Sequence, residues 1–167
     1  MQIRISGTKS KELRAKIRES VKFGAEYFFD KRVLKNLSIH IIFENLTKYG
    51  ALAEMEVLEH DTYYPREFQI SLNKRQSHFT HVLCILHEMV HVKQYARAEL
   101  IQSARNFRLH KFKGDWVDTG KVNYWDCPWE IEAHGREKGM MLKYINTSLV
   151  LSEDDKKKWK AKFNLTY

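Results

Sequence analysis

Two hydrophobic periods divide the chain. From Lys9 to Asp30 the positions Leu13, Ile17, Val21, Gly24 and Phe28 recur every three or four residues, while Arg14, Lys16, Arg18 and Lys22 lie on other faces. That spacing predicts an amphipathic helix with a solvated basic side. Period two follows in three segments. Leu37, Ile39, Ile41 and Phe43 alternate with Ser38, His40, Ile42 and Glu44; Ala51, Ala53, Met55 and Val57 alternate with positions that include Glu54 and Glu56; Phe68, Ile70 and Leu72 alternate with Glu67, Gln69, Ser71 and Asn73. These are half-buried strands of a sheet with one wet face. Tyr49-Gly50 supplies a turn between the first two, and Asp61 to Pro65 separates the second from the third.

The helical period then returns. Ser77 or Thr80 can cap a helix that runs to about Glu99 and is apolar at Val82, Leu83, Ile85, Leu86 and Val92. Arg105 to Trp125 is polar and aromatic with no sustained period, which predicts an irregular segment lying across the face of that helix. Pro128 reads as a first-turn residue of a helix continuing through Trp129, Ile131, Ala133, Met140, Met141 and Leu142 to about Ile145. Ser152 with Asp155 caps a last short helix bearing Trp159 and Phe163. The expected fold is α+β in one domain, 1–167: an N-terminal helix, a three-stranded sheet packed on a central helix, a further helix, and a short C-terminal helix.

Composition narrows the class. With 43% hydrophobic and 30% charged residues among 167, the chain can bury a real core. No apolar run approaches the about 20 residues of a membrane span, and Met1 to Ser6 lacks the features of a leader, so a cytoplasmic protein is expected. Cys84 and Cys127 show neither zinc-finger nor redox spacing, and no disulfide is expected. Residues 1–35 hold ten Lys and Arg against four acids, most of the overall net charge of +8. Because those charges decorate a helix, a solvated face is favoured over a nucleic-acid surface.

The central helix carries the chemistry. It contains Cys84-Ile85-Leu86-His87-Glu88-Met89-Val90-His91-Val92, a His-Glu-x-x-His in an apolar run. Residues four apart on a helix lie one above the other, so His87 and His91 can present their imidazoles to one metal ion. Glu88, one position on, flanks that point and can accept a proton from a water the metal polarises. Three polar side chains in a buried helix need partners, and a metal supplies one. Two histidines alone hold zinc weakly, so a third ligand is expected from Glu130, Glu132, His134, His110, Asp115 or Asp118. A glutamate at the start of the Pro128 helix is favoured, with His134 one turn on as a group that orients a ligand.

His87-Glu88-Met89-Val90-His91 followed by Glu130-Ile131-Glu132-Ala133 resembles the gluzincin metallopeptidases. Tyr124 to Ala133 is similar to small SprT-like or ImmA/IrrE-like metallopeptidases of phage and bacteria. In gluzincins of the Glu-x-x-Ala kind the zinc-binding glutamate stands three residues before the alanine, which implies Glu130. Many of them carry Asp or Asn directly after that alanine, where this chain has His134. A competing alignment takes His134-Gly135 as the third histidine of SprT and Spartan proteins, and Glu130 is favoured over it.

The expected activity is therefore zinc-dependent hydrolysis of a protein or peptide substrate, with His87, His91 and Glu130 on the metal and Glu88 as base, in a monomer. The alternatives are a Spartan-like protease acting on DNA-associated proteins and a non-catalytic zinc-binding module. Tyr124, His110 and Tyr95 are available to stabilise an oxyanion. The third strand, 66–73, leads into the motif helix and is expected to offer its edge to the substrate.

Overall fold

The computed structural model describes residues 1–163. Its main sheet has four strands: β1 (Gln2–Ser6), β2 (Ser38–Glu44), β3 (Ala53–Val57) and β4 (Glu67–Asn73), in the order β1-β2-β4-β3. β1 and β4 both run parallel to β2, whereas β3 returns antiparallel to β4. Three of these strands match the alternating segments. The sheet nevertheless has four strands and not three, because Gln2-Ile3-Arg4-Ile5-Ser6 is itself an alternating segment and pairs along β2 from Gln2↔Ser38 to Ser6↔Ile42. The turn ending at Gly50, whose φ is 67°, does not close a hairpin, since β4 lies between β2 and β3.

Helix α1 (Lys11–Phe28) is capped by Ser10, whose side chain accepts from the Leu13 N–H. A short helix α2 (Lys31–Asn36), capped by Asp30, leads into β2. Helix α3 (His78–Ala96) begins at Ser77, which accepts from the Thr80 N–H, and packs against α1, β3 and β4. α1 approaches it closely. A Cβ added at Gly24 would stand 2.9 Å from the Cβ of Met89, an intermediate residue of the histidine motif, so only glycine lets the two helices meet at that depth. Ile17, Val21, Ile39, Ile41, Phe68, Ile70, Ile85, Leu86 and Met89 are fully enclosed. At about 1.5–3 kcal/mol for each large apolar side chain removed from water, this layer anchors the motif helix.

Lys16 does not share the solvated face expected of it. Its ammonium is buried and bridges Glu12 at 2.6 Å and Asp155 at 2.7 Å, joining α1 to helix α5 (Glu153–Ala161). The segment expected to be irregular, 105–125, is partly ordered: its β6 (Leu109–Phe112) and β7 (Asp115–Asp118) join β5 (Leu100–Gln102), just ahead of it, in a second sheet, an antiparallel meander. Its strands of three or four residues are too short for a period to register. Leu100 and Phe112 pack with Cys127 and Trp129, which fixes the entry to α4 (Pro128–Thr147). Among the described residues no helix is long and apolar enough to cross a membrane.

Candidate metal centre

His87 and His91 point their Nε2 atoms at one another, 3.2 Å apart. Glu130, in the first turn of α4, brings its Oε2 to 3.5 Å from each of them. All three side chains are buried and could hold a metal ion. The edge lengths test the fit. Nitrogen and oxygen donors about 2.1 Å from a four-coordinate tetrahedral ion stand about 3.4 Å from each other. A triangle with edges of 3.2, 3.5 and 3.5 Å is one face of such a tetrahedron. The three residues line a cleft of about 270 Å³ together with Glu88.

The far nitrogens of both rings are held. His87 Nδ1 meets Glu137 Oε2 at 2.9 Å, and His91 Nδ1 donates to Gln94 Oε1 at 2.8 Å. Gln94 is fixed in turn through its Nε2, which donates to the Trp129 carbonyl at 3.0 Å and to Glu132 at 3.1 Å. Such contacts set the tautomer and leave Nε2 free as an electron-pair donor. Both supports escaped the reading of the sequence. Glu137 lies seven positions after Glu130, two turns along the same face of α4, and that spacing was the available signal.

His87, His134 and Glu137 form a second group whose donor atoms lie close together. It shares His87 through the opposite ring nitrogen, and His134 and Glu137 are only partly buried. A ring whose Nδ1 is hydrogen-bonded to a carboxylate is the usual form of an imidazole that offers Nε2 to a cation, so this group supports the buried triangle. His134 packs its ring between His87, with centroids 4.5 Å apart, and Trp125, at 4.9 Å.

The other candidates lie elsewhere. Glu132 turns away to accept from Lys93 at 2.8 Å and from Arg136 at 3.0 Å. His110 stacks against Trp129, and Asp115 and Asp118 belong to β7. Cys84 belongs to neither group, and burial pushes its thiol up to about 12. Tyr95 and Tyr124 both line the cleft, and the Tyr124 hydroxyl donates to Glu130 Oε2 at 2.7 Å.

Electrostatics follow from this geometry. Burial works against the protonated form of His87, but the Glu130 and Glu137 carboxylates more than offset it and raise its pKa to about 9. Burial would raise Glu130, yet His87, His91 and the Tyr124 hydroxyl hold its carboxyl well below the usual range. The pocket therefore favours positive charge at the triangle. Glu88 behaves differently: burial pushes its pKa up, opposed by His91 and His87, and it has no hydrogen-bond partner among the described residues.

The strand expected to offer its edge does not. β4 is paired on both sides, to β2 and to β3, because β3 folds back outside it. The edge that borders the cleft is that of β3, at Ala53, Glu54 and Met55. No protein-family model matches this chain, and comparisons with curated proteins and with solved structures found no match.

Proposed function

We propose that the protein is a zinc-dependent peptidase, built on the plan of a minimal gluzincin, with His87, His91 and Glu130 as metal ligands and Glu88 as general base. One observation carries this reading. A buried triangle of two imidazoles and a carboxylate shares its cleft with a second carboxylate that is itself buried and has no partner among the described residues. A purely structural zinc site is closed by four protein ligands, whereas three with an open position are the catalytic arrangement. An imidazole and carboxylate donor set at these separations suits zinc.

Zinc, when bound, supplies a Lewis acid that polarises a water and a carbonyl in the cleft, bringing the water's pKa toward about 7. Glu88 accepts the proton of that water and returns it to the departing amine nitrogen, ending as it began, a carboxylate. Burial favours this role, because a carboxylate poorly solvated by its surroundings takes a proton more readily near neutral pH. Tyr95 and Tyr124 line the cleft as hydroxyl donors for a developing oxyanion, and Tyr124 would have to release the proton it gives to Glu130 before serving there. The free edge of β3 can pair with the main chain of an extended peptide and lay it across the triangle.

The Spartan-like alternative finds less support. It needs His134 on the metal, but the Nδ1 of that residue lies 3.4 Å from Glu137, outside the triangle. The basic helix it would use for DNA spends Lys16 on internal ion pairs.

Metal analysis and a peptide cleavage assay test the proposal together. Purified protein should carry about one zinc per chain, removable by chelation, and Glu88→Gln should keep the zinc while losing hydrolysis by at least about 100-fold. A protein that takes up no zinc on reconstitution, or a Glu88→Gln variant that still cleaves, would exclude this mechanism.

A further inference from the structure

Resting on the peptidase reading, we infer that Glu54 and Glu56 select substrates with basic side chains, arginine or lysine, at two alternate positions of the strand that docks along β3. Three observations converge. First, β3 is an edge strand whose unpaired side borders the cleft, so a peptide that adds to the sheet there becomes the cross-strand neighbour of its side chains. Second, Ala53, Met55 and Val57 turn inward against the core, while Glu54 and Glu56 point outward and are exposed. Their partners in the sheet are the neutral Ser71 and Gln69, so neither carboxylate meets a cation across the strand. Third, among the described residues no Lys or Arg lines the cleft, although the chain has 29 of them against 21 acids. Glu54 lines it together with Glu88, the buried carboxylate that has no partner among the described residues.

The spacing defines the ligand. Strand residues two apart face the same side, about 6.5–7 Å apart, so two glutamates at that separation match basic side chains at positions n and n+2 of an added strand and not adjacent ones. An acidic side chain at either position would meet a like charge, at Glu54 on the border of the cleft or at Glu56 further along the strand. The contribution is one of docking and selection, separate from the proton transfer at Glu88.

Binding is read first, apart from hydrolysis. Zinc-loaded full-length Glu88→Gln is titrated by fluorescence anisotropy with a labelled extended peptide carrying arginine at n and n+2, and with its citrulline counterpart, which keeps the shape without the charge. The arginine peptide should bind about 10-fold more tightly at low salt, the sum of two cross-strand charge pairs. Most of that difference should disappear near 1 M salt, where the Debye length is about 3 Å. Adding Glu54→Gln and Glu56→Gln should erase the preference while zinc content and melting temperature stay unchanged, since both side chains are exposed. Equal binding of the two peptides, or a preference that survives both substitutions, overturns the inference. Cleavage by the wild-type protein is scored separately: selective binding without cleavage leaves the docking surface standing and removes the peptidase, whereas cleavage without charge preference does the reverse.

Discussion

Helices α3 and α4 face each other across the candidate centre and hold their polar groups by opposite means. No residue of α3 is exposed, yet it carries His87, Glu88, His91, Lys93 and Gln94 in succession. α4 buries a stripe of Trp129, Ala133, Met140, Met141, Tyr144 and Ile145 and leaves Ile131, Gly135, Arg136 and Lys138 in water. An enclosed helix keeps charged groups at low cost where each has a fixed partner, and all of these but Glu88, which lines the cleft, have one. α4 supplies partners around the centre: Glu137 for His87, Glu130 for both Nε2 atoms, and Glu132 for Lys93 and, through Gln94, for His91, while Lys93 pairs also with Glu99. The buried helix supplies the donors, and the half-exposed helix supplies the charge that makes their burial tolerable.

Removing the anionic corner should have the largest effect. Glu130→Gln removes the carboxylate proposed as a ligand and should abolish tight metal binding, whereas His134→Asn, which alters a ring packed beside His87, should change affinity little. Competition with a chromophoric chelator measures both, and a greater loss in the histidine variant would reverse the assignment.

Glu137→Gln comes next. It keeps the ligands and weakens the hydrogen bond that orients His87, so affinity should drop about 10- to 100-fold, the usual cost of losing such a support. An unchanged titration curve would mean that the enclosure of α3 alone orients the ring.

Glu132→Gln sharpens the contrast from the other side, because it should lower stability far more than metal affinity, Gln94 still being held by the Trp129 carbonyl. Lys93 is buried and would keep Glu99 as its remaining carboxylate, so a loss of about 1–3 kcal/mol in denaturant unfolding is expected. A fall in metal affinity without a change in stability would place Glu132 in the centre itself.

The smallest change concerns pH in the chelated, metal-free protein. The folded pKa of His87, about 9, lies above its ordinary value of 6.5. Its pairing with Glu130 and Glu137 therefore stabilises the fold fully below about pH 6.5, and that contribution is lost as pH rises toward 9. Thermal melts across this window should move down by a few degrees in the metal-free protein and less with zinc bound, since metal replaces the proton. A melting temperature that climbs over the same range would contradict the charge balance described for the triangle.

What the sequence determined by itself rests on local periodicity. A spacing of four from His87 to His91 places two imidazoles on one helical face whatever surrounds them, and the caps Ser77 and Ser152 follow from short-range hydrogen bonding. Glu130 was reached through a resemblance around Glu-x-x-Ala, and its meeting with the two histidines is a fact of tertiary structure. The same holds for the strand order. β3 and β4 have similar alternation, and nothing in either says which will lie at the edge, because that depends on where β4 is inserted beside β2. Glu130, Glu132 and Glu137 are chemically identical side chains within two turns of one helix, and only the packing of α3 against α4 decided that the first faces the triangle, the second carries Lys93 and the third orients His87.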